Sequence, residues 1–148
     1  MKKAVVGTVM LAAASIGTAS AAECYSPADV EAEQGLLFQT NLMVISSACR
    51  DTVNGEFRAR NKDAIVRYQN AMIEHFRRSG ARNPKSAFDS WQTSLANDFA
   101  QKQALTPTAQ FCQQSTELLK LAGTLDQKGF HDYAVAHMAD GAHPKCTK

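Results

Sequence analysis

The chain has 148 residues, which is enough for one domain, and 20% of them are charged. Its formal net charge of +2 arises from 16 basic and 14 acidic residues. Because Lys2 and Lys3 supply two of the bases at the extreme N-terminus, the rest of the chain carries 14 charges of each sign. A nucleic-acid-binding domain usually has a clear basic excess, so nucleic acid is not expected as a partner.

The N-terminal residues 1–21 have the three parts of a secretory signal peptide. Two lysines give the positive start, an apolar run of about 13 residues follows, and Ala19-Ser20-Ala21 forms a small-residue cleavage site. We predict cleavage after Ala21, or alternatively after Ala22, and a single exported domain at 22–148 in the periplasm or outside the cell. An uncleaved membrane anchor is disfavoured, because the run is short and is interrupted by Gly, Thr and Ser.

Four cysteines lie beyond the signal peptide: Cys24, Cys49, Cys112 and Cys146. An even number of cysteines in an exported chain predicts disulfide bonds, here two. No two of them form a C-x-x-C pair, so a thioredoxin-like redox site, a zinc ribbon and C-x-x-C-H haem attachment are not supported.

The first predicted helix is expected to be the centre of the fold. It starts at Ser26-Pro27-Ala28-Asp29, which combines a capping residue, a proline suited to the first helical position and an acid at capping-box spacing. Residues 34–49 carry no charge. Most apolar side chains there share one helix face, whereas Leu36 and Met43 fall on nearly the opposite side. Such a helix is expected to be covered on more than one side, and it is too short and polar to span a bilayer.

The second and third predicted helices are both amphipathic. The second spans about 57–76, and a break at Asn61 would make it a short helix followed by a longer one. The third starts in the turn at 83–86, where Ser86 and Asp89 have the spacing of a capping box.

The fourth predicted helix begins at Thr106-Pro107 and ends at Lys128-Gly129, a basic residue followed by the usual C-terminal glycine. A short fifth helix at about 130–138 and an irregular tail follow. Four helices of about 18–24 residues with short connections favour an all-α, up-down-up-down four-helix bundle with an extra C-terminal helix.

This topology predicts how the cysteines pair. Cys49 ends the first helix at the pole where the fourth helix, carrying Cys112, begins, and Cys24 and Cys146 lie at the other pole. Of the three pairings we therefore favour Cys49–Cys112 and Cys24–Cys146. Each closes a long loop worth about 4 kcal/mol in the chain-entropy model, so we interpret both as structural bonds.

The histidines are the first candidates for a metal or haem site. His131, His137 and His143 are spaced by six, which points neighbours about 120° apart on a helix, so one helix face cannot present them together. A folded tail would allow His137, Asp140 and His143 to meet, and these are weak metal candidates. His75 lies on the apolar face of the second helix and is interpreted as a hydrogen-bonded core residue. No cofactor is predicted.

Residues 50–85 are locally basic, with nine Lys or Arg against four Asp or Glu. Three arginines align on one flank of the predicted second helix: Arg60, Arg67 and Arg78. Asp63 and Glu74 lie on the same flank, four residues before the second and third arginine, which favours a solvated, salt-bridged face. A docking patch for an anionic surface, a lipid head group or an acidic partner is the alternative.

The side chains of Leu36, Met43 and Ile73 form a second candidate surface, since all three project away from the expected apolar faces. They are either covered by the segment 130–146 or exposed as an apolar patch that binds a partner or a second copy. We favour cover within the chain.

Some stretches of the sequence resemble a known group of proteins. The run Phe88-Asp89-Ser90-Trp91-Gln92-Thr93-Ser94-Leu95-Ala96-Asn97, the later Phe111-Cys112, and Leu42-Met43-Val44 leading into Cys49-Arg50 are similar to small exported helical bacterial proteins of uncharacterised function. The resemblance spans most of the mature chain. It implies an all-helical fold with disulfides, and it supplies no activity and no site residues.

Common hydrolase motifs are missing: the sequence has no G-x-S-x-G, no H-E-x-x-H and no glycine-rich phosphate loop. We therefore expect a non-catalytic interaction or structural module of the cell envelope, with an envelope protein or a second copy as partner. A bundle that carries haem, a metal or a small hydrophobic molecule is the alternative, and an unrecognised enzyme is the third.

Overall fold

The computed structural model describes residues 24–139, 141 and 143–146. The predicted signal peptide at 1–21 lies outside the described residues. Six α-helices follow one another along the described chain: α1 (Pro27–Cys49), α2 (Val53–Arg60), α3 (Lys62–Arg78), α4 (Pro84–Ala104), α5 (Thr108–Ala122) and α6 (Gln127–His137). The prediction of an all-helical protein is confirmed.

Helix α1 begins and ends where its sequence signals predict. The Ser26 hydroxyl accepts a hydrogen bond from the Asp29 N–H at 3.2 Å, and the Asp29 carboxylate accepts one from the Ser26 N–H at 2.9 Å. These two bonds form the predicted capping box, with Pro27 in the first turn. At the other end Arg50 adopts the left-handed conformation, with φ of 55°, and ends the helix.

Helix α1 is the centre of the fold and contacts each of the other five helices. Leu36 and Phe38 project in nearly opposite directions and are both fully buried, so the helix is covered on two sides as expected. On the Phe38 side lies an aromatic cluster, in which the ring centroids of Phe38, Phe57 and Phe130 are 4.9 to 5.7 Å apart. Such tilted and edge-on pairs add about 0.5–1.5 kcal/mol each beyond the buried area.

The predicted second helix is broken at Asn61, which ends α2 and precedes α3. The side chain of Asn61 makes no capping bond to α3; instead its Nδ2 donates to the carbonyl oxygens of Phe57 at 3.0 Å and Leu125 at 3.1 Å. The buried amide therefore holds the break in α2–α3 against the connection between α5 and α6.

Arg60 adds three hydrogen bonds to the same place. Its Nε donates to Leu125 O at 3.0 Å, and its Nη2 donates to Ala122 O at 3.1 Å and to Gly123 O at 2.8 Å. These carbonyls lie at the end of α5 and just after it, where C=O groups have no partner within the helix. We call this set the junction: Arg60 and Asn61 on one side, and the carbonyls of Ala122, Gly123 and Leu125 on the other.

The predicted end of the fourth helix at Lys128-Gly129 is wrong. Helix α5 stops at Ala122, and α6 begins at Gln127. Asp126 is the N-cap of α6, because its side chain accepts the N–H of Gly129 at 2.8 Å. Lys128 and Gly129 therefore lie in the first turn of α6, whereas the prediction made them the end of the preceding helix.

The connection between α3 and α4 follows the prediction with a different cap. Gly80 has φ of +84°, a conformation that glycine adopts without strain, and α3 ends just before it. The predicted capping box at Ser86 and Asp89 is wrong, because Asn83 caps α4 by accepting the N–H of Ser86 at 3.1 Å. Asp89 instead pairs with Lys85 on the exposed surface.

Two disulfides connect the cysteines in the pairing favoured from sequence. Cys49 at the end of α1 is bonded to Cys112 in the first turns of α5, and Cys24 is bonded to Cys146 in the tail. Their Cα–Cα distances are 5.5 Å and 4.9 Å, within the usual range. Along the described part of the chain, no helix combines the length and the apolar character needed to cross a bilayer.

Candidate functional site

The two ends of the described chain meet beside the start of α1. Cys24 and Cys146 are joined covalently, and Tyr25 forms two backbone hydrogen bonds with the tail. The Tyr25 N–H donates to Pro144 O at 2.8 Å, and the Tyr25 carbonyl accepts the Cys146 N–H at 3.0 Å. The tail is therefore fixed to the N-terminal segment by three bonds.

A cleft of about 430 Å³ lies between this clamped tail, the first turns of α1 and the outer face of α6. Most of its surface is apolar, with polar groups at a few positions. Its lining comes from Tyr25, Pro27, Val30, Glu31, Gln34, His131, Val135, Lys145 and Cys146. We call this feature the cleft, and its size and composition are those of small-molecule and side-chain binding sites.

His131 of α6 connects three helices at the cleft. Its Nδ1 lies 3.1 Å from Glu31 Oε1 on α1 and 3.2 Å from the hydroxyl of Tyr68 on α3. The imidazole therefore contacts α1 and α3 through the same ring nitrogen. Burial, followed by the negative charge of Glu31, raises the pKa of Tyr68, so its hydroxyl remains protonated at neutral pH.

Gln34 provides a further acceptor. Its side chain is 6% exposed, and its Nε2 donates to the carbonyl of Met138 at 3.1 Å. Within the part of the chain that the structure describes, Gln34 Oε1 and Glu31 Oε2 have no hydrogen-bond partner. The residues that line the cleft therefore hold two acceptors without donors.

An ion pair lies behind Tyr25, on the side away from the cleft. Arg78 at the end of α3 donates from Nη2 to both oxygens of Asp29, at 2.8 and 2.6 Å. Nδ1 of His75 lies 3.4 Å from Asp29 Oδ2, without the alignment of a hydrogen bond. Burial would raise the pKa of Asp29, but the hydrogen bonds from Ser26 and Arg78 and the charge of Arg78 outweigh it and lower that pKa.

The ring of Tyr25 is packed between two histidines. Its centroid is 4.1 Å from that of His75 and 4.0 Å from that of His143, with the second pair stacked. His143 Nε2 donates to Glu33 Oε1 at 2.9 Å, while Glu33 Oε2 is buried without a partner among the described residues. Burial, then the charges of Glu33 and Asp29, raises the pKa of Tyr25 to about 12. The Tyr25 hydroxyl therefore remains protonated at neutral pH.

This arrangement is suited to binding. The cleft brings a carboxylate, an amide oxygen and an imidazole nitrogen to one concave, largely apolar surface. All four cysteines of the chain are disulfide-bonded, so the described residues offer no thiol nucleophile. A molecule that carries hydrogen-bond donors would satisfy acceptors that are otherwise paired only with water.

The three arginines of the predicted basic patch are used differently from one another. Arg60 donates to three carbonyls of the junction, and Arg78 is bonded to Asp29 and lies 3.9 Å from Glu74. Of these three, only Arg67 has neither a side-chain hydrogen bond nor an ion pair with a described residue. The guanidinium groups are therefore not available together as one docking surface for an anion.

The predicted apolar patch is not an exposed surface. Leu36 is fully buried, and Met43 and Ile73 are half-buried. Met43 lies in a groove whose other walls include Gln69 of α3 and Ala96 of α4. The expectation that the chain itself covers these side chains is correct for Leu36, although at Met43 the neighbouring walls belong to α3 and α4 and not to the segment 130–146.

The weak metal candidates do not form a site in the described part of the chain. His143 is bonded to Glu33, and the ring of His137 stacks on that of Tyr133 at 4.2 Å. Asp140 lies outside the described residues. Among those described, no group of three or more His, Cys, Asp or Glu side chains is arranged to hold a metal ion.

Sequence reasoning missed the residues that form the cleft. Glu31 carries no local signal of its role, and Gln34 is visible only as the first residue of the uncharged stretch 34–49. Their contacts with His131 and Met138 join positions about 100 residues apart, so no local spacing could indicate them. The one available signal was a polar residue, Gln34, within a helix that is expected to be buried.

Fold and site together define the class: an all-helical protein with two disulfides and a largely apolar cleft where its two described ends are joined. Comparison with known proteins adds no relative to this description, since no family model, no curated protein and no solved structure matches the chain. The proposals about function below therefore rest on the residues and their geometry.

Proposed function

We propose that the protein is an exported, non-catalytic binding module of the cell envelope and that the cleft is its binding site. The observation that carries this proposal is the pair of acceptors without donors, on Glu31 and Gln34, along a cleft of about 430 Å³. Ligand sites in proteins are commonly about 300–1,000 Å³, apolar, and oriented by a few polar groups. The cleft has each of these properties.

The walls of the cleft support this assignment because they are held in place. The tail is fixed by the Cys24–Cys146 bond and by the backbone bonds of Tyr25. On the other side, His131 is held by Glu31 and Tyr68. A site whose walls are already ordered loses little conformational entropy when its ligand binds.

Export is part of the proposal. It is supported by the signal-peptide pattern at 1–21 and by the two disulfides, which persist mainly in oxidising compartments such as the periplasm or the exterior. We also propose that the protein is similar to the small exported helical bacterial proteins named above.

We also propose an up-down-up-down arrangement of four rods, formed by α1, by α2 with α3, by α4, and by α5 with α6. The start of α1 is paired with the end of α3 through Asp29 and Arg78. The end of α1 is bonded to the start of α5 through Cys49 and Cys112. In this arrangement the junction connects the break between α2 and α3 with the break between α5 and α6.

A second candidate function is the carriage of a small hydrophobic molecule. The observation that favours it is the apolar part of the cleft, where Pro27, Val30 and Val135 form much of the wall. An envelope partner and a carried molecule would use the same surface. An unrecognised enzyme is the third candidate.

Native mass spectrometry of protein isolated from its own compartment tests the proposal. We expect a mass that corresponds to cleavage after Ala21 or Ala22, two disulfides, and a bound partner or ligand. Val135→Trp, which fills the cleft, should remove the bound species, whereas Val66→Trp, at an equally exposed valine on α3, should retain it. Loss of the bound species only in Val66→Trp would place the site elsewhere and refute the proposal.

A further inference from the structure

We infer that the cleft binds an organic cation, a primary ammonium or guanidinium group on an aliphatic stem. This inference rests on the proposed function, because it names the ligand class of the same site. It follows from three properties of the described residues: the kind of polar atoms along the cleft, the balance of charge around them, and the apolar wall beside them.

Two polar atoms of the cleft lining are acceptors without a donor. Glu31 Oε2 and Gln34 Oε1 have no partner among the described residues. Gln34 is more than nine-tenths buried, and its amide is held by the bond to Met138 O, so its oxygen has a fixed position. An ammonium group has three donors and no acceptor, which complements these two atoms.

The charge around the cleft favours a cation over a neutral donor. Three carboxylates, those of Asp29, Glu31 and Glu33, lie at or just behind the cleft, against the two cations Arg78 and Lys145. Arg78 is engaged by Asp29, so the carboxylates of Glu31 and Glu33 remain beside Lys145. Burial is the main cause of the raised pKa of Tyr25, and the negative charges of Glu33 and Asp29 add to it.

The apolar wall indicates what carries the cation. Val30 and Pro27 of the first turn of α1 and Val135 of α6 line the cleft next to the acceptors. A stem of about four methylene groups, as in lysine, would lie on this wall while its ammonium group reaches Glu31. The same chemistry has two sources, a lysine side chain of a protein partner and a free aliphatic amine.

Titration monitored by ¹H–¹⁵N NMR tests the inference with matched probes. We expect n-pentylamine to shift the signals of Gln34 and His131 and to bind at least about tenfold more tightly than 1-pentanol or pentanoate. Glu31→Gln should weaken pentylamine binding about tenfold, and Glu117→Gln, at an exposed acid of α5, should leave it unchanged. Tighter binding of Nα-acetyl-lysine methylamide than of pentylamine would point to a lysine side chain, and the reverse order to a free amine.

Two outcomes would overturn the inference. Tighter binding of pentanoate than of pentylamine would assign the cleft to anions, and equal pentylamine affinity in Glu31→Gln would remove the carboxylate from recognition. Neither outcome touches the proposed function, which fails separately if Val135→Trp retains the species bound to the native protein.

Discussion

The junction and the cleft both concentrate polar groups in a protein that is otherwise packed through apolar side chains, and they use these groups in opposite ways. At the junction, Arg60 and Asn61 donate five hydrogen bonds, four of them to carbonyls at the end of α5 and just after it. Asn61 Oδ1 is the one buried side-chain atom of the two without a partner. At the cleft, two acceptors, Glu31 Oε2 and Gln34 Oε1, are unpaired among the described residues.

This difference separates a structural polar network from a binding site. A network whose donors and acceptors are matched fixes the chain in one arrangement, and a further ligand gains nothing from it. A surplus of acceptors on a concave surface has the opposite property, because each one gains when a donor arrives. Changes at the junction should therefore alter stability alone, whereas changes at the cleft should alter binding.

The largest expected effects come from the two disulfides. One lies just before the start of α1 and the other at its end. Replacing both cysteines of Cys49–Cys112 by serine should lower the free energy of unfolding by about 4 kcal/mol, and the same change at Cys24–Cys146 by about 5 kcal/mol, since the bonds span 63 and 122 residues. Urea unfolding followed by circular dichroism measures both.

The two variants should differ in where the chain opens. Hydrogen exchange at the N–H groups of Tyr25 and Cys146, which are bonded across the tail, should accelerate when Cys24–Cys146 is removed and stay slow when Cys49–Cys112 is removed. Equal acceleration in both variants would show that the tail is not held locally, and the comparison between the two regions would lose its basis.

A pair of glycines gives the next largest effect. A Cβ at Gly35 would overlap the ring of Tyr68, whose hydroxyl supports His131, so Gly35→Ala should destabilise the protein by about 1–3 kcal/mol and weaken binding at the cleft. Gly55 in α2 has no atom within 4 Å of such a Cβ, and Gly55→Ala should stabilise by up to about 1 kcal/mol. Thermal unfolding of the two variants should therefore give shifts of opposite sign, and a shift of the same sign would refute the packing argument.

Arg60 and Arg67 test the junction. Arg60→Met removes three hydrogen bonds to carbonyls that water can partly replace, so we expect a loss of about 1–2 kcal/mol and unchanged pentylamine binding. Arg67→Met is the matched control, because Arg67 is an exposed arginine of α3. This variant should change the free energy of unfolding by less than about 0.5 kcal/mol. A change in amine binding in the first variant would show that the junction is not purely structural.

The sequence predicted those parts of the fold that depend on neighbouring residues. The capping box of Ser26 and Asp29 and the break at Asn61 were visible because their signals are local. The disulfide pairing followed from the order of the helices. Lys128-Gly129 misled because a glycine after a lysine is typical of a helix end, whereas here Asp126 captures the Gly129 N–H and starts a helix.

The sites could not be predicted for a physical reason. The partners of Arg60 are backbone carbonyls, which carry no signal in the sequence, so its side chain resembled a free surface charge. The cleft depends on Glu31 and Gln34 of α1 meeting His131 and Met138, contacts that span about 100 residues. Such positions are neighbours only in the packed chain, where α6 and the tail lie against α1.

The smallest expected effect is a pH dependence that comes from Asp29. The pKa of its carboxyl is lower in the folded protein than in the unfolded chain, where it is about 3.9, because the hydrogen bonds from Ser26 and Arg78 outweigh the effect of burial. The ionised form therefore adds stability that is present above about pH 4 and is lost as the pH falls through the lower, folded-state pKa. Urea midpoints measured between about pH 5 and 2 should fall less steeply in Asp29→Asn than in the native protein, and Asp98→Asn, at an exposed acid of α4, should follow the native curve. Parallel curves for the native protein and Asp29→Asn would mean that the pair with Arg78 leaves the folded-state pKa unchanged, and the buried acid behind the cleft would then not be held ionised by its neighbours.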